Sequence, residues 1–373
     1  MIDDGGVSAP ESSRLHNARV PSNNGWKTEP HDAPDGTSAA TLAPARNLAV
    51  ELEAFQYVST YRIISKVAEG GMGQVFLAEQ LGVSGFSKTV GIKTIRRELL
   101  DRFYYRDMFI DEAKLVATLI HENIQQVYQL VDMAGSLAIV MEWVHGVTLE
   151  DINTRLDERN DYLPPELAVF MVSRVARALA YAHEKRGVDG RPLFLVHRDV
   201  SPVNVYASWG GVVKLADFGI AKAMSARKTA RENEIMGKAP YLAPEQARGQ
   251  TIDARSDVFS LGLVLFELLT GEQVYPVESI DDAIHLHDSR QVPSPRDWNP
   301  AISPKIEVVM RRMLERDPNQ RYQRARDIVR DLEVLLYSSG YGPTNERLAE
   351  YLDDLFPEVD KHRLLPEEMI LPR

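Results

Sequence analysis

His197-Arg198-Asp199-Val200-Ser201-Pro202-Val203-Asn204 is followed, thirteen residues after its last member, by Asp217-Phe218-Gly219. Each fragment comes directly after a β-rich run, residues 193–196 and 212–215, so both are expected in loops at strand ends. Loops there present side chains from a rigid support without burying them. The order Asp199, Asn204, Asp217 supplies the groups that phosphoryl transfer from a metal-bound nucleotide requires. One carboxylate orients the attacking hydroxyl, while an amide oxygen and the second carboxylate hold the metal on the phosphates. Either fragment alone is a weak signal. Together, in this order, they define a candidate site.

The rest of the chain has the composition of an ordinary globular protein. Its 373 residues, 44% apolar and 26% charged, suffice for a substantial core in one large or two ordinary domains. A net charge of −11 argues against a general binder of nucleic acid or anionic membrane, since no global field favours a polyphosphate. There is no cysteine, which excludes disulfides and thiolate metal sites and suits a reducing compartment. No apolar core run occurs in the first thirty residues, and the most apolar helical candidate, residues 261–269, is short and interrupted by Glu267. The expectation is a soluble, cytoplasmic protein with no nucleic-acid partner and no membrane span.

Residues 1 to about 48 carry Gly, Ser, Pro, Asn and Asp without periodicity, so residues 1–54 are expected to form a disordered arm. Residues 61–67 alternate as a strand does, and Ala68-Glu69-Gly70-Gly71-Met72-Gly73-Gln74-Val75 turns into a second strand. A glycine-rich turn lets backbone N–H groups come close to phosphates, although this fragment alone reads equally as a plain hairpin. Val90-Gly91-Ile92-Lys93 lies on a third strand. Residues 107–120 place Met108, Phe109, Ala113, Val116 and Ile120 at helical spacing. That helix carries Asp111 and Glu112, which project about 100° apart, so only one can face Lys93. An apolar strand, residues 137–141, runs into Glu142-Trp143-Val144-His145-Gly146. Residues 167–184 form a long amphipathic helix. Beyond Tyr341-Gly342-Pro343, a short helix places Leu348, Tyr351, Leu352 and Leu355 on one face. This helix is expected to settle on the preceding lobe, a partner-binding role being the alternative.

These motifs resemble, in content and order, those of the eukaryotic-like (Hanks-type) protein kinases. H-R-D-L-x-x-x-N is matched with Val200 in place of Leu, and D-F-G is matched in full. G-x-G-x-x-G-x-V is met at Gly70, Gly73 and Val75, with Ala68 replacing the first glycine, and residues 90–93 resemble V-A-I-K. The resemblance covers residues 57–337. It implies an α+β, two-lobed protein-kinase fold with a kinase domain over residues 55–338. A small β-rich N-lobe with one key helix (55–141) and a hinge (142–146) would lead to a larger, mostly helical C-lobe (147–338). A helical extension (339–373) would follow.

The resemblance implies a protein serine/threonine kinase of the bacterial branch, using ATP and Mg²⁺ on protein substrates that carry Ser or Thr. Pro202 and the run Tyr241-Leu242-Ala243-Pro244-Glu245-Gln246 place it there rather than with tyrosine kinases. By the same resemblance Asp199 positions the hydroxyl, Asn204 and Asp217 hold Mg²⁺, and Lys93, paired with Glu112, sets the phosphates. The nucleotide would meet Ala68, Gly70, Gly73 and Val75, with the backbone of Glu142 and Val144 on adenine and Met141 behind it. Val75 and Tyr206 would sandwich the purine, and these apolar side chains read equally as core packing. Asp257 would anchor the catalytic loop, and Glu245 would pair with Arg321.

Two positions depart from the family pattern. Ser201 stands where a lysine is usual, and Lys238, after Gly237, stands where a threonine is usual. The expectation is that Lys238 reaches back to supply the lost charge, with Ser201 sharing a hydrogen bond; a solvent-facing Lys238 in a slower enzyme is the alternative. Arg198 would meet a phosphate placed by autophosphorylation on Ser225 or Thr229, or else only tie down backbone. Two rival classes remain. A small-molecule phosphotransferase is disfavoured by residues 243–245, and a pseudokinase binding module by the intact catalytic side chains.

Overall fold

Apolar and polar side chains alternate along residues 73–95 and 127–142, the pattern of strands that bury one face more than the other. The computed structural model describes residues 60–70, 73–95, 110, 113–133, 136–218 and 239–360. Strands β1 (Thr60–Gly70), β2 (Gly73–Leu81), β3 (Ser87–Ile95), β4 (Val127–Met133) and β5 (Ser136–Glu142) form one antiparallel sheet in the order β1-β2-β3-β5-β4. Ala78, Val90, Ile92, Ala138 and Val140 bury one face of it as a separate small core. Ile139 and Met141, one residue out of phase, join the main core of the protein. Register places Lys93 opposite Val75 on one side and Ile139 on the other, so its side chain shares the face turned to the main core.

Below the sheet the chain is mostly helical. A short strand β6 (Gly146–Thr148) leads into α1 (Leu149–Arg159) and α2 (Pro165–His183), and strands β7 (Val205–Ser208) and β8 (Val213–Leu215) complete a second sheet with β6. There follow α3 (Pro244–Ala247), α4 (Ala254–Thr270), α5 (Ile280–Ser289), α6 (Pro304–Met313), α7 (Ala325–Tyr337) and α8 (Asn345–Leu355). Every residue of α4 from Ser256 to Thr270 is buried, the condition of a helix at the centre of a lobe. It starts on the Asp253 cap, whose side chain accepts from the Arg255 N–H, and it stops at Gly271 in the left-handed region. Helix α2 packs between α4 and α7. No helix among the described residues is long and apolar enough to cross a membrane.

Two local expectations are corrected. Residues 193–196 form no strand, because no neighbouring edge pairs with them; the chain makes a tight turn closed by an Arg186–Pro192 bridge and then runs irregularly. The helix expected over residues 107–120 is seen at residues 110 and 113–116, where Ala113 and Val116 are buried as the spacing required. It ends there, leaving Ile120 73% exposed past its terminus. Met108, Phe109, Asp111, Glu112, the arm at 1–54, residues 219–238 and residues 361–373 lie outside the described residues.

The base of the lobe is held by an ion pair across 76 residues of sequence. Arg321 is 1% exposed, and its guanidinium donates to both Glu245 oxygens (2.7 and 2.9 Å) and to the carbonyls of Glu315, Arg255 and Arg316. Burial works to raise the Glu245 carboxyl, but its bonds from Arg321 and Ser256 outweigh that and hold it below the usual range. A buried pair with every donor satisfied is strongly destabilised when one partner is removed. Glu245→Ala is therefore expected to cost on the order of 3–5 kcal/mol in thermal or denaturant unfolding, and Glu245→Ala with Arg321→Met should recover part of it.

Candidate active site

The segment bearing Asp199 belongs to no helix or strand, so side chains must hold it. Asp257, in the first turn of α4 and 1% exposed, does so. Its carboxylate accepts from the N–H groups of His197 and Arg198, each at 2.7 Å, and meets His183 Nε2 at 2.8 Å. Burial pushes this carboxyl up, yet His183 and the backbone donors win, and its pKa lies below the ordinary value. The turn it imposes leaves Arg198 with φ at +67°, a left-handed conformation that costs a non-glycine residue energy.

His197 links the two motifs. Its Nδ1 accepts from the Asp199 N–H (3.2 Å) and its Nε2 donates to the Ala216 carbonyl (2.9 Å), which fixes a neutral imidazole with the proton on Nε2. Burial, which lowers its pKa, keeps it neutral. The ring also packs edge-on against Phe218, with centroids 4.5 Å apart. Asn204 is the second link: its Nδ2 donates to the Asp199 carbonyl (2.8 Å), leaving Oδ1 as the acceptor, and its own carbonyl receives the Ala216 N–H (2.8 Å).

These bonds bring Asp199, Asn204 and Asp217 into one neighbourhood. Asp217, at φ +55°, turns its carboxylate to Lys93 on β3, with Nζ to Oδ1 at 2.7 Å. Phe218 turns the other way, into the core, and with Lys93, Gln125, Val127, Ile139 and Met141 it lines a small cavity behind the cleft. The partner expected for Lys93, Glu112, is outside the described residues, as are Lys238, Ser225 and Thr229. The Ser201 hydroxyl is buried in extended backbone before the turn at Pro202–Asn204 and has no hydrogen-bond partner among the described residues, which do not include Lys238.

On the opposite side of the cleft, Ala68 pairs with Val75 and Gly70 with Gly73, the tip at residues 71–72 being outside the described residues. Tyr206 sits opposite Thr148 of β6 and Lys214 of β8, and burial pushes its phenol up to about 12. Met141 and Val144 are buried. At Glu142 the N–H is taken by the Gln126 carbonyl (2.8 Å), and the carbonyl accepts from Gln125 Nε2 (2.9 Å). Strand pairing at the end of β5 claims the donor, so the carbonyl's second lone pair is what remains for a ligand. The Glu142 carboxylate in turn accepts from the Gln126 N–H and pairs with Lys214 Nζ at 3.0 Å, tying β4 to β8. Sequence reasoning missed Gln125 and Lys214, since neither belongs to a motif.

It also read Glu267 only as an interruption of an apolar helix. The carboxyl is 7% exposed and accepts from the Tyr241 hydroxyl at 2.6 Å. Burial, with Glu150 adding to it, raises the Glu267 pKa to about 7.

A lysine thus faces a carboxylate across two lobes, beside an amide oxygen and a second carboxylate on an anchored loop. Among the described residues there is no cluster of three or more His, Cys, Asp or Glu side chains fit to hold a metal. A cation here would take ligands from Asn204, Asp217 and phosphate oxygens, the habit of Mg²⁺. Comparison with known proteins agrees. The protein kinase domain family matches residues 61–331. The chain is 36% identical to the tyrosine-protein kinase MasK of Myxococcus xanthus over 80% of its length and 46% of that protein's. It is 34% identical to the serine/threonine-protein kinase PrkC of Bacillus subtilis, over 74% of this chain and 40% of that protein. Against the serine/threonine-protein kinase PknB of Mycobacterium leprae the identity is 36%, over 70% of this chain and 41% of that protein. The chain thus spans less than half the length of these relatives. The kinase domain of Mycobacterium tuberculosis PknI superposes with a TM-score of 0.56 at 26% identity, covering 74% of this chain and 96% of that one. This chain belongs to the protein kinase family, in its bacterial, Hanks-type branch.

The Glu267 carboxyl supplies a pH test. Its pKa rises from 4.5 in the unfolded chain to about 7 in the fold, so its contribution to stability is full below pH 4.5 and is lost as pH rises through 7. Glu267→Gln, which still accepts from Tyr241, is expected to gain on the parent by on the order of 3 kcal/mol between about pH 5 and pH 8, read from melting temperatures.

Proposed function

We propose that the protein transfers the γ-phosphoryl group of ATP to serine and threonine hydroxyls of other proteins. The observation that carries this reading is the 2.7 Å bond of Lys93 to Asp217, which sets a phosphate-directed cation beside the candidate metal ligand. Lys93 holds the α and β phosphates. Asn204 Oδ1 and the Asp217 carboxylate would hold Mg²⁺, which neutralises charge on the phosphates when bound. Asp199 accepts the hydrogen bond of the attacking hydroxyl and takes its proton as the new P–O bond forms and the bond from the γ-phosphorus to the β–γ bridging oxygen breaks, ADP leaving with that oxygen. Val75 and Tyr206 flank the purine, the Glu142 carbonyl and the Val144 backbone face its edge, and Met141 closes the space behind. Catalysis on this reading is mainly positioning and charge neutralisation.

A second reading extends the acceptor to tyrosine. Two observations favour it: Ser201 in place of the usual lysine, and the name of the Myxococcus xanthus relative. A short side chain beside Asp199 leaves more room for a phenol than a lysine does. Purified protein incubated with labelled ATP, Mg²⁺ and a generic protein substrate tests both. The expected product carries phosphoserine and phosphothreonine; phosphotyrosine alone would replace the first reading by the second. Asp199→Asn and Asp217→Asn should each lower kcat on the order of a thousandfold, while Asp199→Asn leaves nucleotide binding nearly unchanged. Near-normal turnover in either variant would sink the kinase reading.

A further inference from the structure

Helix α8 lies beyond the residues that match the kinase family, and it is not a loose tail. Leu348, Leu352 and Leu355 are 0–3% exposed and belong to the main core. Its first residue is pressed onto the β7–β8 turn: a Cβ on Gly211, which sits at φ +75°, would lie 1.8 Å from the Asn345 carbonyl oxygen. Its last turn is held by α1. The Arg159 guanidinium donates to the carbonyls of Asp354 (3.1 Å) and Leu355 (2.6 Å), groups that have no partner within the helix. Phe356 follows at once, with Trp209 of the β7–β8 turn edge-on at 5.9 Å and the Arg155 guanidinium of α1 at 5.3 Å. Arg155 also pairs with Glu358.

The two elements that α8 joins both lead to the nucleotide side of the cleft. Helix α1 starts directly after β6, the end of the hinge, and strand β7 carries Tyr206. The Trp209 N–H donates to the His145 carbonyl of the hinge at 3.0 Å. Strand β6 pairs with β7 so closely that a Cβ on Gly146 would lie 2.1 Å from the Ala207 carbonyl oxygen, and Thr148 stands opposite Tyr206. Displacing the far end of either element therefore displaces the hinge and the purine floor together.

We propose that α8 is a built-in brace for nucleotide binding, with Arg159 and Phe356 as positioning residues that set the hinge and Tyr206 from the far side of the lobe. The proposal rests on the kinase reading given above. Neither residue is among those assigned to the nucleotide or the metal, although α1 itself also packs against the Pro202–Asn204 turn. The brace should act on nucleotide affinity more than on the chemical step.

The experiment uses the full chain with Arg159→Ala, Phe356→Ala and Phe356→Tyr, and with Leu336→Ala on α7 as a variant destabilised elsewhere in the lobe. Melting temperature, Kd for ATP by direct titration, KM for ATP and kcat are measured for each. Arg159→Ala and Phe356→Ala are expected to raise Kd and KM for ATP together by about fivefold to tenfold, with kcat within about twofold of the parent. Phe356→Tyr should restore the parent values, and Leu336→Ala should lower the melting temperature without moving Kd. A fall in melting temperature with Kd unchanged in Arg159→Ala would overturn the brace, as would an equal rise in Kd in Leu336→Ala. Arg159→Ala removes a partly exposed side chain, so it decides the matter even if Phe356→Ala does not fold. A parent that binds ATP but transfers nothing would sink the kinase reading while the Kd ratios still judge the brace; a parent that does not bind ATP would sink both.

Discussion

A buried carboxylate holds the catalytic loop in place of backbone pairing. Asp257 receives the N–H groups of His197 and Arg198, and without it those donors, shut away from water, would have no acceptor. Its own burial is costly for a charged group, and the bond to His183 together with the two backbone donors offsets that cost. The strained backbone at Arg198 and Asp217 is kept by this arrangement and by the His197 imidazole, which bonds at once to the Asp199 N–H and the Ala216 carbonyl. Asp199 and Asp217 are thus positioned by one rigid unit rather than by two loops.

The sheet contributes the rest of the site across the cleft. Strand alternation gives it a private core on one face and turns Lys93 towards Asp217 on the other. A one-residue slip of β3 would send Lys93 into that core and Ile92 into the cleft, so the register between Val75, Lys93 and Ile139 decides whether a site exists. The two lobes also meet at the hinge, where Glu142 links the Gln126 N–H to Lys214. The hinge is held by these side chains together with backbone bonds at Glu142 and His145, and phosphoryl transfer in this family depends on positional closure of the two lobes.

Farther from the chemistry, polar groups set the shape of the lobe. Arg321 satisfies all its bonds at Glu245 and three carbonyls, and Tyr241 is tied to Glu267 beneath it in sequence order on α4. These contacts specify where the segment around residues 239–247 lies, a task that non-directional apolar packing does not perform. Helix α8 adds a further tie outside the family's own extent, between α1 and the β7–β8 turn.

The residues of the site were legible in the sequence because their chemistry is written locally. Asp199, Asn204 and Asp217 stand at fixed spacing, Lys93 lies in a short strand motif, and the apolar face of α8 follows the helical period. The places where the reading failed are places where the partner is distant or absent. Residues 193–196 have strand composition but no edge to pair with, and Ile120 keeps the helical spacing past the end of its helix. Sequence by itself determined which groups the protein brings to the cleft and which helices and strands carry them. The resemblance set Asp257 at the loop bearing Asp199, but only the tertiary structure decided that its carboxylate takes the His197 and Arg198 N–H groups, that Lys93 meets Asp217, and that Arg159 caps α8. Those bonds join residues 60, 124 and 196 positions apart, and no local spacing encodes a partner that only folding brings near.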